Sequence, residues 1–417
     1  MDAFTNFIEN VLVPPLVKIG NEKHLVAIRN GLAVTLPFII VGSIFLIVSS
    51  LPIPGWDKII GKYSDILSVP VNVSFGILAL LTAAGIGFYL SKELKVDPIS
   101  GALLSLVAFL TTQITDKYAL DTSNFGSTGL FTAIIVPIIS VEVMRYFIKK
   151  DIVIKLPEGV PPAVSNSFVS LIPAAVMIIM LWIIRVVLGF DITSFLQKVF
   201  SPLVFALNSL PGILVYVLLV LLFWTVGIHG DNIMGAIGGP IFLQFITANT
   251  KAFLAHQPIP YITAQGFVDF FVNVGGTGAT IGLVILMLFS KSKTYKSLGR
   301  LAFPSGIFMI NEPITFGFPI VFNPTIMIPY VGTGLLLTVA TYILMFFNII
   351  SKPAILIPWT TPPIISEYLI TGGDWRAAVW GAIEILISIL IYYPFFKAEE
   401  KKQLALERNE ALEEYNK

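Results

Sequence analysis

Residues 301 to 319 read Leu301-Ala-Phe-Pro-Ser-Gly-Ile-Phe-Met-Ile-Asn-Glu-Pro-Ile-Thr-Phe-Gly-Phe-Pro319, an apolar run that contains a single acidic residue, Glu312. A carboxylate at bilayer depth costs about 3 kcal/mol even on lenient insertion scales, so a protein usually keeps one there for a substrate, an ion or a proton. The surrounding Pro and Gly residues interrupt a helix, as in the broken helices of transporters. The stretch therefore predicts a functional site at Glu312 in a membrane-embedded hairpin.

The composition predicts an all-α polytopic membrane protein. The chain has 417 residues, of which 56% are hydrophobic and 12% are charged, whereas soluble domains carry about 25% charged residues. The net charge of +1 gives no indication of nucleic-acid binding. Because the chain has no cysteine, it has no disulfide and no cysteinyl phosphoryl carrier of its own. No nucleotide-binding loop and no His-rich cluster occurs, so we predict neither a metal nor a cofactor.

Two kinds of apolar segment follow one another along the chain. Clean spans are predicted near residues 28–50, 74–91, 98–115, 129–147, 168–188, 212–228, 276–290, 326–349 and 376–396. Gly, Pro and Asn interrupt residues 229–275 and 301–325, as in re-entrant segments. Placing the basic loops inside requires one further crossing between 229 and 275. The sequence thus predicts about ten spans, with both termini cytoplasmic, a scaffold-like first half and a site-like second half.

Two further segments have a helical pattern outside these spans. Residues 190–210 place one set of apolar side chains on one helical face, namely Ile192, Phe195, Leu196, Val199 and Leu203. This pattern is typical of an amphipathic helix along the membrane, which would join the two halves, and an ordinary extracellular loop helix fits it equally well. The tail at residues 397–417 alternates acidic and basic residues, which predicts a solvated cytoplasmic helix.

Four short stretches combine polar side chains with Gly or Pro, which let a ligand approach the backbone. They are Trp224-Thr-Val-Gly-Ile-His-Gly-Asp-Asn-Ile-Met-Gly235, Phe267-Val-Asp-Phe-Phe-Val-Asn-Val-Gly-Gly-Thr-Gly-Ala279, Asn311-Glu-Pro313 and Leu356-Ile-Pro-Trp-Thr-Thr-Pro-Pro363. Carboxylate, imidazole, amide and hydroxyl groups hydrogen-bond sugar hydroxyls, and indole faces pack on sugar C–H surfaces. The set therefore favours a neutral polyhydroxylated ligand.

Each residue of this set also has a structural interpretation. A lone His such as His229 near a helix end is more often structural than ligand-binding. Asp231 and Asn232 fit the pattern of helix caps, and for Asp231 we favour the cap. Trp224 and Trp359 fit an interfacial aromatic belt as well as a binding site.

Four motifs in order resemble one transporter family over nearly the whole chain. They are Leu156-Pro-Glu-Gly-Val-Pro-Pro-Ala-Val-Ser-Asn-Ser-Phe168, Gly227-Ile-His-Gly-Asp-Asn232, Gly275-Gly-Thr-Gly278 and Ile310-Asn-Glu-Pro-Ile-Thr-Phe-Gly317. The sequence is similar to the membrane IIC component of bacterial phosphotransferase systems (PTS), in the lactose/cellobiose/diacetylchitobiose branch. The resemblance implies ten transmembrane helices, two re-entrant hairpins, a homodimer in the bacterial cell membrane and an elevator-type movement of the sugar-carrying domain.

The same resemblance implies a division of the chain into five parts. Residues 1–27 would be a cytoplasmic segment, 28–189 the dimerisation scaffold with the first five spans, 190–210 an amphipathic linker, 211–396 the sugar-binding transport domain, and 397–417 the cytoplasmic tail.

The resemblance also assigns roles to individual residues. Glu312 and His229 resemble the pair that holds the sugar hydroxyl to be phosphorylated. The other expected sugar contacts are Trp224, Asn232, Asn273, Gly275 and Trp359. The phosphoryl group would come from a phosphocysteine of component EIIB, supplied through EIIA and HPr, and would be transferred to the 6-hydroxyl of a β-linked disaccharide such as cellobiose or diacetylchitobiose. Because this chain has no cysteine, we expect EIIB to be a separate polypeptide.

The chemistry leaves alternatives open. Glu312 can accept the hydroxyl proton while His229 directs the oxygen, and we hypothesise that Glu312 is the base because it lies in an apolar hairpin. Lactose or a β-glucoside would use much the same residues. An ion-coupled secondary transporter, in which Glu312 carries a proton, is a different possibility. A sugar receptor or bacteriocin-docking protein is a third, although it would not need two broken hairpins.

Overall fold

The computed structural model describes residues 14, 18, 21–49, 56–157, 159–318, 320–321 and 323–415. The described part of the chain is helical and contains no β-strand, which confirms the predicted all-α class. A backbone in lipid must satisfy its hydrogen bonds internally, and an apolar sequence does so with helices. Most of the predicted N-terminal segment 1–27 lies outside the described residues.

The first half of the chain forms nine described helices, most of them apolar. They are α1 (Lys23–Ala33), α2 (Leu36–Ser49), α3 (Trp56–Ile60), α4 (Ser64–Phe75), α5 (Leu78–Leu94), α6 (Pro98–Thr112), α7 (Leu130–Lys149), α8 (Pro162–Val169) and α9 (Leu171–Trp182). A π-helical turn, Ile183–Val187, continues α9. Helix α5 is the centre of this half, because it packs against α1, α6 and α7.

The second half alternates long helices with short ones. They are α10 (Ile192–Leu207), α11 (Leu210–Thr225), α12 (Gly230–Leu254), α13 (Phe267–Phe271), α14 (Ile281–Leu288), α15 (Lys293–Ile307), α16 (Glu312–Gly317), α17 (Pro324–Phe346), α18 (Ile365–Ile370) and α19 (Trp375–Tyr415). Helix α17 packs against α11 and α19, and α14 packs against α15 and α19. Helix α12 also packs against α1, so it connects the two halves.

The number of spans depends on how broken helices are counted. Among the described residues, six helices are long and apolar enough to cross a membrane, or up to eight if each of two bent pairs is one span. The prediction of about ten spans is therefore not confirmed. Two predicted spans are short as helices, because residues 98–115 give only Pro98–Thr112 and residues 276–290 give only Ile281–Leu288.

The interrupted segment 229–275 contains the additional long helix that the charge distribution requires. Helix α12 has 25 residues despite its Gly and Pro content. After α13 the chain turns through Gly275, Gly276 and Gly278, whose φ angles are +74°, +108° and +81°. Residues other than Gly are strained in this region of φ/ψ space, so these glycines make the turn possible.

Helix α10 lies within the predicted amphipathic segment 190–210 and meets α11 at an angle of 82°. Leu196 is buried, whereas Phe195 and Val199 of the predicted apolar face are exposed. Thr193 accepts hydrogen bonds from Gln113 and Thr132, both at 3.1 Å, and so attaches α10 to the first half.

The tail is the end of α19, which continues without a break to Tyr415. Unlike the predicted solvated helix, it is attached to the turn before α15 by side-chain hydrogen bonds. Glu400 accepts hydrogen bonds from the Ser290 hydroxyl at 2.6 Å and the Lys291 backbone N–H at 2.8 Å. Glu407 accepts one from the Ser292 hydroxyl at 2.6 Å. The tail therefore holds the turn that leads into α15.

Candidate functional site

A cavity of about 380 Å³ lies where the two broken regions of the second half meet. It is lined by Trp224, His229, Asp231, Asn232, Asp269, Asn273, Gly276, Thr277, Met309, Asn311, Glu312 and Trp359. The volume falls in the range of small-molecule sites. The structure thus brings together six of the seven residues expected to contact sugar, all except Gly275.

His229 ends the loop between α11 and α12 and caps α12. Its Nδ1 accepts a hydrogen bond from the Asn232 backbone N–H at 3.3 Å. In a neutral imidazole, an accepting Nδ1 leaves the ring proton on Nε2, so the remaining nitrogen is a hydrogen-bond donor. The ring centroids of His229 and Trp224 are 4.4 Å apart, so the imidazole rests against the indole.

Asp231 does not cap the helix, contrary to the interpretation we favoured from the sequence. Its Oδ2 accepts hydrogen bonds from the Trp224 indole N–H and the Thr277 hydroxyl, both at 2.7 Å. The Asn273 amide lies 3.5 Å from its Oδ1. A cap was a reasonable expectation because Asp is common at helix starts, but His229 takes that position and leaves the Asp231 carboxylate free for more distant partners.

The glycine turn places Gly276 and Thr277 at the cavity and Gly275 behind them. Gly275 donates its backbone N–H to the Met309 sulfur at 3.1 Å. A Cβ atom on Gly275 would lie 2.3 Å from the Cβ of Ile281. Gly275 is thus needed for close packing, and its neighbour Gly276 lines the cavity.

Asn311 anchors the segment that carries Glu312. Its side-chain amide donates to the Thr277 carbonyl at 2.8 Å and lies 3.1 Å from the Thr280 hydroxyl. Asn311 is buried, but Glu312, the first residue of α16, is exposed and lines the cavity. We expected Glu312 to be enclosed by the apolar hairpin; instead it is exposed at the wall of the cavity.

The two indoles lie in different surroundings. Trp224 is 3% exposed, and its ring is fixed by Asp231 and by contact with His229. Trp359 is 54% exposed and follows Pro358 at the edge of the site. The buried indole offers a preformed surface, whereas the other indole is open to solvent.

Six lining residues lay outside the predicted set of contacts: Asp231, Asp269, Gly276, Thr277, Met309 and Asn311. All six occur in or beside the quoted motifs, so their position near the site was visible. The contacts among them could not be predicted from the sequence, because Asp231 hydrogen-bonds to residues more than 40 positions away. In the described part of the chain, no group of three or more His, Asp or Glu side chains is arranged to hold a metal ion.

Comparison with known proteins identifies the family. Residues 29–334 match the family described as Phosphotransferase system, EIIC. The chain is 40% identical to the lichenan permease IIC component of Bacillus subtilis (strain 168), with 98% of this chain and 96% of that protein covered. It is also 40% identical to the PTS system cellobiose-specific EIIC component of Geobacillus stearothermophilus, with 98% and 97% covered.

A solved structure agrees over the same length. The crystal structure of the transporter ChbC, the IIC component from the N,N'-diacetylchitobiose-specific phosphotransferase system, matches with a TM-score of 0.92 and 38% identity, covering 96% of this chain and 99% of that one. The family predicted from the four motifs is confirmed. The chain is a multi-pass bacterial membrane protein that belongs to the EIIC family of the phosphotransferase system.

Proposed function

We propose that this EIIC protein is a permease for a β-linked disaccharide of the cellobiose or diacetylchitobiose type, and that it presents the sugar's 6-hydroxyl to phosphocysteine on a separate EIIB chain. One observation carries the proposal: His229 and Glu312, from two different broken regions, line the same cavity together with two indoles. A carboxylate, an imidazole and aromatic faces suit a neutral sugar with one reacting hydroxyl.

The roles of the pair follow from their hydrogen-bonding capacity. Because Nδ1 of His229 accepts from the backbone, Nε2 carries the ring proton and donates to the oxygen of the sugar hydroxyl. Glu312 as a carboxylate is an acceptor only, so it accepts the hydroxyl proton as the oxygen attacks phosphorus. Phosphoryl transfer depends mainly on such positioning for in-line attack, and the phosphoryl group comes from the partner protein.

The choice of sugar rests on the relatives. Two similar proteins are named for cellobiose and lichenan, and the similar crystal structure is named for diacetylchitobiose. Trp224 would form a fixed platform for the reacting ring, with Asn232 and Asn273 bonding its hydroxyls. Trp359 would cover the second ring.

The transport step in this proposal is an elevator movement. Residues 211–396 would carry the sugar across the membrane against a homodimeric scaffold, residues 28–189, with both termini cytoplasmic. Helix α10 would serve as the linker along the membrane surface. The angle of 82° to α11 and the exposed side chains of Phe195 and Val199, which suit lipid contact, support this assignment.

A binding and transfer assay tests the proposal. Purified protein is titrated calorimetrically with cellobiose, diacetylchitobiose, lactose and maltose, and then incubated with phosphorylated EIIB. We expect a β-linked disaccharide to bind more tightly than the α-linked maltose and to become a 6-phosphate. Binding without phosphorylation would favour an ion-coupled transporter or a receptor instead.

A further inference from the structure

Asp231 forms the centre of a group of partly buried polar contacts beside the cavity. Its carboxylate receives the indole N–H of Trp224 from the end of α11 and the hydroxyl of Thr277 from the glycine turn, both at 2.7 Å. Trp224 and Thr277 are 3% and 7% exposed. Hydrogen bonds to a charged acceptor are roughly twice as strong as neutral ones, so this carboxylate joins two separate elements firmly.

The same group of contacts continues to the hairpin of Glu312. The Thr277 carbonyl accepts the side-chain amide of Asn311 at 2.8 Å, and Asn311 immediately precedes Glu312. Thr277 thus has two partners, Asp231 through its hydroxyl and Asn311 through its carbonyl.

On its other side, the group reaches His229. Trp224, held by Asp231, lies against the imidazole with ring centroids 4.4 Å apart. Asp231 itself is two residues after His229, in the first turn of α12, where a negative charge is favourable. A continuous series of contacts therefore runs from His229 through Trp224, Asp231, Thr277 and Asn311 to Glu312.

We infer that Asp231 and Thr277 are positioning residues that fix His229 and Glu312 relative to each other for phosphoryl transfer. The inference rests on the proposed function, because it gives the pair a reacting hydroxyl to hold. Asp231 Oδ2 already accepts two hydrogen bonds from protein donors, so we assign Asp231 to holding these residues in place. A misplacement of about 1 Å can cost about 100-fold in rate, whereas sugar binding depends on many contacts.

Two substitutions at Thr277 test the inference. Thr277→Val keeps the side-chain shape but removes the hydroxyl, and Thr277→Ser keeps the hydroxyl. The matched control is Thr247→Val, because Thr247 is also buried and its hydroxyl bonds only to the Leu243 carbonyl of its own helix, at 2.8 Å. Two quantities are measured with cellobiose: the Kd by calorimetry, and the single-turnover rate of transfer from phosphorylated EIIB at saturating sugar.

We expect Thr277→Val to slow transfer by about tenfold to 100-fold and to change Kd by less than about threefold, because orientation matters more to the reacting atoms than to binding. Thr277→Ser should restore the rate, and Thr247→Val should resemble the wild type. Asp231→Asn places an NH₂ group or a weaker acceptor at the two donors. It should also slow transfer without changing Kd, and it provides a second test if Thr277→Val folds poorly.

The outcomes separate the inference from the proposed function. If the wild type transfers phosphate but Thr277→Val behaves like Thr247→Val, or Thr277→Ser is as slow as Thr277→Val, the inference is wrong and the proposed function stands. A Thr277→Val effect on Kd alone would also overturn it. A wild type that binds sugar but transfers no phosphate refutes the proposed function and the inference with it.

Discussion

Gly276 and Asn311 lie in direct contact between the two broken regions. A Cβ atom built on Gly276 would lie 2.4 Å from the Cβ of Asn311, and Gly276 has a φ of +108°. The glycine turn therefore lies so close to the Glu312 hairpin that no side chain fits at position 276. This approach gives the cavity its shape.

Gly276→Ala should disrupt that contact. Strain at positive φ alone destabilises by more than about 1 kcal/mol, and the steric clash with Asn311 adds to it. We expect a lower thermal unfolding temperature and weaker cellobiose binding, both measured in detergent solution. The control is Gly332→Ala in α17, where a Cβ meets nothing within 4 Å and should stabilise the helix by about 0.5–1 kcal/mol. Unchanged stability and affinity in Gly276→Ala would contradict the described geometry.

Glu312→Gln separates binding from chemistry. The loss of a hydrogen bond to a charged group corresponds to about 1.5–3 kcal/mol, so sugar affinity should fall by about tenfold to 100-fold. The transfer rate at saturating sugar should fall by at least about a further 100-fold, because the general base is lost. Glu93→Gln, at the end of α5 and outside the cavity, is the control. Full phosphorylation with only weakened binding would exclude Glu312 as the base.

His229 has a structural role as a cap and a proposed role as a donor, and two substitutions distinguish them. His229→Ala removes both, so stability should fall by about 1 kcal/mol, and transfer should be lost. His229→Asn keeps a good N-cap and should unfold at the wild-type temperature, but with transfer slowed by about 100-fold. Wild-type transfer by His229→Asn would show that the imidazole is not needed for the reaction.

Glu407 should hold the turn before α15. It accepts hydrogen bonds from the Ser292 hydroxyl and from the backbone N–H groups of Lys293 and Thr294, the last at 3.0 Å. Glu407→Ala should raise hydrogen exchange at these two amides by about tenfold, since an exposed hydrogen bond to a charged acceptor contributes about 1.5 kcal/mol, the lower end of the usual range. Arg408→Ala, on the exposed side, is the control. Equal exchange in both variants would mean that the tail does not hold this turn.

Several features of the site could be predicted because they depend on local sequence. The Gly and Pro interruptions predicted broken helices, which occur after α12 and between α15 and α17, although residues 230–254 form one continuous helix. Charge parity predicted a further span in this region, and α12 is long and apolar enough to be one. A carboxylate in an apolar run predicted that Glu312 belongs to a site, and Glu312 lines the cavity, while its role stays a prediction. These inferences needed only composition, periodicity and the distribution of charge along the chain.

Other features depended on contacts between distant segments. Asp231 looked like a cap because cap preference is a local property, yet its partners lie in the glycine turn and at the end of α11. The exposure of Glu312 was missed because an apolar sequence around a residue does not reveal which way a broken helix directs it. The number of spans was also difficult to predict, because an apolar sequence does not reveal where a helix is replaced by a turn. Of the apolar residues 276–290, only Ile281–Leu288 form a helix.

The most direct measurement of the central claim is uptake by proteoliposomes that contain phosphorylated EIIB inside. Labelled cellobiose is added outside without any ion gradient, and the internal label is separated into free sugar and sugar phosphate. The account predicts that cellobiose 6-phosphate accumulates in proportion to the phosphorylated EIIB, and that Glu312→Gln abolishes this accumulation. Accumulation of unmodified cellobiose that requires a proton or sodium gradient, with or without EIIB, would contradict it.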